Sequence, residues 1–166
     1  YMYYAYSASM AEKGRNCVYV FEASSNRQQP LTVIENVAPA QATLQGVIAH
    51  GERLAVLARG ENCTYLRIYS IAEPTKPVLL SAIEQSGACV QAGLVGENVY
   101  VLSHFVFDPK AEQSVPALTV NGEIHRALPE HIVRLAGANQ AQYTVLGTVN
   151  VQTGKARSQN TFSIAP

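Results

Sequence analysis

Asn16-Cys17-Val18-Tyr19-Val20 returns as Asn62-Cys63-Thr64-Tyr65-Leu66, and His50-Gly51-Glu52-Arg53-Leu54-Ala55-Val56-Leu57 returns as Val95-Gly96-Glu97-Asn98-Val99-Tyr100-Val101-Leu102. Each pair is separated by about 45 residues, and each copy is a polar turn leading into a run of β-branched and aromatic residues. A unit that short cannot bury its own apolar face, so the copies must stack. Four-stranded propeller blades repeat at about 40–45 residues. The spacing therefore predicts an all-β chain, a partial β-propeller of about three four-stranded antiparallel blades, with repeats near residues 1–50, 51–96 and 97–166.

Working outward, short β-rich runs at 2–7, 18–22, 31–35, 43–50, 54–59, 65–71, 77–84, 89–95, 99–104 and 143–151 are the expected strands. His50-Gly51-Glu52, Val95-Gly96-Glu97 and Gln152-Thr153-Gly154-Lys155 read as hairpin corners. The two prolines of Ala72-Glu73-Pro74-Thr75-Lys76-Pro77 remove backbone donors and mark a passage between strands. Residues 105–142 interrupt the repeat. Within them, Asn121-Gly122 predicts a small hairpin pairing 117–120 with 123–126, and Pro129 opens one short helical turn over 128–135. Excursions of this length from a rigid scaffold are where binding function concentrates.

Composition excludes several classes. Of 166 residues, 48% are hydrophobic and only 14% charged, against about a quarter charged in ordinary soluble domains, which suits many short buried strands. Twelve Lys and Arg balance twelve Asp and Glu without a basic run, so phosphate-tracking nucleic-acid binding is not expected. No stretch approaches 18 apolar residues, so no membrane insertion by this segment is expected. The sequence opens inside an expected strand at 1–7, as a piece of a longer protein does. Three cysteines, Cys17, Cys63 and Cys89, are an odd count without metal-like spacing. They read either as small packing residues or, for Cys17 and Cys63 at equivalent repeat positions, as one bridge between neighbouring blades.

Tyr69-Ser70-Ile71-Ala72-Glu73-Pro74-Thr75-Lys76-Pro77-Val78-Leu79-Leu80, then Ile83-Glu84-Gln85-Ser86-Gly87, then Gly96-Glu97-Asn98-Val99-Tyr100-Val101-Leu102 follow one another as blade segments. Leu128-Pro129-Glu130-His131-Ile132 and Tyr143-Thr144-Val145-Leu146-Gly147-Thr148-Val149 come next. In this order they resemble the secreted bacterial proteins with a β-propeller domain distantly related to WD repeats. The likeness is best from 65 to 151. Ala92-Gly93 stands where that family often has Ala-Arg or Ser-Arg, Cys89 where it often has an aromatic, and no Trp-Asp dipeptide is present. The resemblance implies a propeller fold and an extracytoplasmic location, secreted or anchored at the cell surface, and it carries over no catalytic residues.

No catalytic, cofactor-binding or metal-binding residues are expected. His50, His104, His125 and His131 lack ligand spacing. Ser103, between Leu102 and His104, lacks the glycines of a nucleophile elbow. Glycine-rich phosphate loops are missing, and the single aspartate, Asp108, cannot furnish a calcium loop. Glu84, Gln85 and Ser86 end a strand in an apolar region, where they either satisfy blade-to-blade backbone groups or reach a ligand. With His104, Phe105, Phe107 and His131 they are the expected contact residues for a protein or glycan partner. Tyr1, Tyr3, Tyr4 and Tyr6 read as strand packing or as a contact surface. Three blades leave sheet edges open, which predicts self-association. The functional expectation is a non-catalytic binding or scaffolding module; the alternatives are a glycan or peptide hydrolase with its site on other blades, or a piece that only completes a larger fold.

Overall fold

The computed structural model describes residues 1–7, 15–24, 29–106, 108, 115–136 and 142–163, the last seven by backbone only. All ten strands expected from the sequence form. The chain runs β1 (Met2–Tyr6), β2 (Cys17–Phe21), β3 (Thr32–Ile34), β4 (Thr43–His50), β5 (Arg53–Arg59), β6 (Cys63–Ser70), β7 (Val78–Ser86), β8 (Ala88–Val95) and β9 (Asn98–Val106). The inserted hairpin follows as β10 (Ala117–Val120) and β11 (Glu123–Arg126), then a single 3₁₀ turn at Pro129–His131, β12 (Ile132–Arg134), β13 (Gln142–Asn150) and β14 (Ala156–Ser163). Strands β12 and β14 carry no clear apolar alternation in sequence, Ala-Arg-Ser-Gln-Asn-Thr-Phe-Ser in the latter, and so escaped the reading.

These strands make three unclosed sheets, in the orders β1-β2-β3, β11-β10-β7-β6-β5-β4 and β12-β14-β13-β9-β8. The four-stranded expectation holds for the meanders at the heart of the second sheet, β4 to β7, and of the third, β8-β9-β13-β14. Their equivalence is written in hydrogen bonds. Ile71 N–H donates to Glu52 O in one sheet (2.9 Å), and Val151 N–H donates to Glu97 O in the other (2.8 Å). Gly51 and Gly96 occupy matching corners with φ of 57° and 59°, the left-handed conformation the turns require. By the same alignment β1, β2 and β3 correspond to the second, third and fourth strands of a blade. The third blade is split: residues 107–141 leave it between its second and third strands.

Alternation along β5 explains the stacking. Leu54 and Val56 point toward the first sheet and join Val18, Val20, Ile34 and Val37, whereas Ala55 and Leu57 point toward the third and join Val99, Val101, Val149 and Val151. A strand buried on both faces reads as an unbroken apolar run, as Leu54-Ala55-Val56-Leu57-Ala58 does. The tyrosines of β1 divide by the same rule: Tyr3 packs inward, and Tyr4 and Tyr6 are exposed on the outer face. Asn16 ties the first sheet down, its amide donating to Pro39 O (2.6 Å) and Ala42 O (2.8 Å).

The bridge considered for Cys17 and Cys63 is not formed; all three cysteines are free thiols. Cys17 opens β2 and Cys63 opens β6, equivalent points of successive sheets. Faces of stacked sheets lie about 10 Å apart, and equivalent side chains point the same way, whereas a disulfide needs Cα atoms within about 7 Å.

Candidate binding clefts beside the inserted hairpin

The hairpin β10–β11 leaves the third blade but hydrogen-bonds to the second, where Leu118, Thr119 and Val120 pair with Gln85, Glu84 and Ile83. Its turn is built for this. Asn121 and Gly122 have φ of 51° and 88°, as a tight two-residue hairpin demands. Asn121 also clasps Ala82, its side-chain oxygen accepting from Ala82 N–H (2.8 Å) while its own N–H donates to Ala82 O (2.8 Å). At the other end Ser86 Oγ accepts from Ala117 N–H (2.9 Å). One face of the hairpin, Leu118 with Val120 partly buried beside it, continues the core between the second and third sheets.

Two clefts flank it. The smaller, about 270 Å³, is lined by Cys63, Glu84, Ser86, Thr119, Ile124 and Arg126, among others. The larger, about 710 Å³, lies between the inward face of the hairpin, the turn around His131, and the start of β14. Leu118, Val120, Leu128 and Ala156 form its apolar lining, and Asn121, Glu123, His125, Arg126, His131 and Lys155 its polar part. Both volumes sit near or within the range of small-molecule sites.

The expected contact residues separate on this map. Glu84 and Ser86 line the smaller cleft, and His131 lines the larger. Glu84 is half-exposed and holds the Arg67 guanidinium at 3.3 Å. Gln85 points the opposite way, buried between sheets, where its Nε2 donates to Ser103 Oγ (2.8 Å), Val101 O (3.1 Å) and Val145 O (3.2 Å). Ser103 in turn donates to Ser86 O (2.7 Å). For Gln85 the blade-to-blade role is the one the geometry supports. Phe105 is buried against Tyr143, with ring centroids 6.1 Å apart, and His104 lies half-buried on the other face of β9. Neither of these two lines a cleft, and Phe107 falls outside the described residues. Sequence reasoning passed over Arg126, Lys155 and the apolar lining. The Asn-Gly signal located the hairpin, but nothing local to it says which sheet it joins.

Cys63 is a poor nucleophile despite facing the smaller cleft. Burial, followed by the nearby Glu84 carboxylate, pushes its thiol up to about 11. At a fixed pH the thiolate fraction falls about tenfold for each unit the thiol's pKa is raised, so at pH 8 its alkylation by iodoacetamide is expected to be on the order of 100-fold slower than that of a free cysteine. Mass-spectrometric labelling of the folded chain checks this, and labelling at the free-thiol rate contradicts it. Among the described residues no three His, Cys, Asp or Glu converge as a metal site, and no helix is long and apolar enough to cross a membrane.

Twisted antiparallel meanders stacked face to face, with apolar cores between successive sheets, define an open run of β-propeller blades. The family profile described as a beta propeller domain matches residues 7–166, and the chain belongs to that family. No curated protein and no solved structure gives a significant match.

Proposed function

We propose that this chain is a non-catalytic binding or scaffolding module that acts outside the cytoplasm. The observation that carries the binding role is the larger cleft, whose lining comes mostly from the segment that interrupts the blade repeat. A propeller gains a specific function by loops grafted on a common scaffold. Here the graft supplies both an apolar lining and the polar groups beside it, the usual composition of a ligand pocket. The extracytoplasmic location rests on the likeness of the blade segments to secreted bacterial propeller proteins.

The test is a panel of chromogenic glycosides and peptide anilides, assayed for turnover and, by amide-detected NMR, for binding. No release of chromophore is expected, with shifts confined to residues 118–131 and 155–156 for compounds that bind. Turnover that survives repurification and is lost on substituting a residue lining either cleft overturns the non-catalytic reading in favour of a hydrolase whose site lies on these blades rather than on others.

A further inference from the structure

The larger cleft has a charge imbalance. Arg126 and Lys155 both line it, and neither makes a salt bridge with a described residue. The one acid in the lining, Glu123, lies 3.9 Å from His125 Nε2 and is largely solvent-exposed. His131 adds a further nitrogen donor or acceptor from the 3₁₀ turn. A guanidinium and an ammonium group thus stand against one carboxylate beside an apolar wall of Leu118, Val120 and Leu128.

The wall itself is unusual for this molecule. Elsewhere the inward face of the second sheet meets the third sheet, but the hairpin extends the second sheet by two strands. Val120 of the hairpin and Ala156 at the start of β14 both pack against that core. The space beyond it is the cleft. Apolar surface next to cations that no described acid pairs is matched by a molecule with a carbon body and an anionic head.

We infer that the larger cleft binds a small organic carboxylate, its carboxylate held by Arg126 and Lys155 and its body laid against Leu118, Val120 and Leu128. This rests on the binding role proposed above. The planar guanidinium of Arg126 presents two N–H groups in the geometry of a carboxylate, and Lys155 supplies a second, mobile charge. A cavity of about 710 Å³ takes a body the size of one or two sugar rings or a fused aromatic pair. A uronic acid and a lipid- or aromatic-derived acid present the same head group, so the experiment separates them.

The isotope-labelled chain is titrated with a disaccharide of glucuronate and N-acetylglucosamine, with 2-naphthoate, and with the methyl ester of each. At least one acid is expected to shift the amides of Leu118, Val120, His125 and Lys155, with its ester at least tenfold weaker. Arg126→Gln and Lys155→Gln, both exposed changes, are each expected to weaken binding about fivefold while the thermal midpoint is unchanged, and raising salt is expected to weaken it further. Response to the disaccharide alone identifies a uronic-acid ligand, response to naphthoate alone an apolar acid. Equal binding of acid and ester at these amides overturns the carboxylate assignment and leaves the binding role standing. No shift at these amides with either acid overturns the assignment, while turnover in the chromogenic panel independently decides the binding role.

Discussion

Gly87→Ala is expected to lower stability by roughly 3–5 kcal/mol, combining the left-handed backbone cost with overpacking against an immobile neighbour. Gly87 is the single residue between β7 and β8, where the chain passes from the second sheet to the third, and its φ is 92°. A Cβ there meets the carbonyl carbon and oxygen of His104 at 2.6 Å and the Phe105 nitrogen at 2.8 Å. All are backbone atoms of a central strand that cannot yield. Gly96 supplies the control: its φ is 59°, but a Cβ would meet nothing within 4 Å. Gly96→Ala is therefore expected to cost only about 1–2 kcal/mol, the conformational part alone. In a chain of this size the two changes separate as thermal midpoint losses of about 10 °C and about 4 °C. Equal losses measured by calorimetry would show that the approach of β9 is not what demands glycine.

Gln85→Leu is the second large effect. The side-chain amide serves three acceptors from β9 and β13, namely Val101 O, Ser103 Oγ and Val145 O, and it lies directly over Gly147, whose missing side chain makes the space. Leucine fills a similar volume but donates nothing, so buried oxygens lose their donor at about 1–3 kcal/mol each where no other partner replaces it. A loss of about 2–4 kcal/mol by urea denaturation is expected, with no change in the m-value. Gln85→Glu is expected to do worse as pH rises. A carboxyl facing two carbonyl oxygens keeps its proton in the folded state, so its folded pKa lies above the unfolded value of about 4.3. Stability of that variant is then fullest below this value and falls as pH climbs through the folded pKa. A glutamate variant as stable at pH 8 as at pH 4 would contradict the buried-donor role.

These two residues show how far the sequence could be read. The run Ile83-Glu84-Gln85-Ser86-Gly87 stood out as polar within an apolar neighbourhood, and the structure explains it as a joint. Glu84 and Ser86 alternate to the cleft side, Gln85 turns between the sheets, and Gly87 makes room for β9. Strand alternation foretells which side each takes, but not what waits there. The blade repeat was legible because the turn glycines and the strand starts repeat with the backbone hydrogen bonds they serve. Blade two carries both halves of that record, since Gly51 matches Gly96 and Asn62 matches Asn16. The larger cleft was not legible, because it arises where β10 joins β7 across an intervening pair of strands. Arg126 lines it from β11 and Lys155 from just before β14, and no local pattern in the sequence places them in one cleft.

That crossing has a consequence for how the chain is made. During vector-wise synthesis β7 is released before β8 and β9, and its partner β10 only after both. At about 5–20 residues per second the outer edge of the second sheet stays unpaired for on the order of seconds. The part of that edge that β10 later pairs is Ile83, Glu84 and Gln85, whereas Val78, Leu79 and Leu80 at the other end of the strand are exposed in the finished fold. An unpaired strand edge templates strand addition from other chains. The nascent protein thus passes through a window of aggregation risk at the 83–85 stretch of β7 that closes when β10 arrives, so shortening the segment between β9 and β10 narrows the window and lengthening it prolongs the exposure.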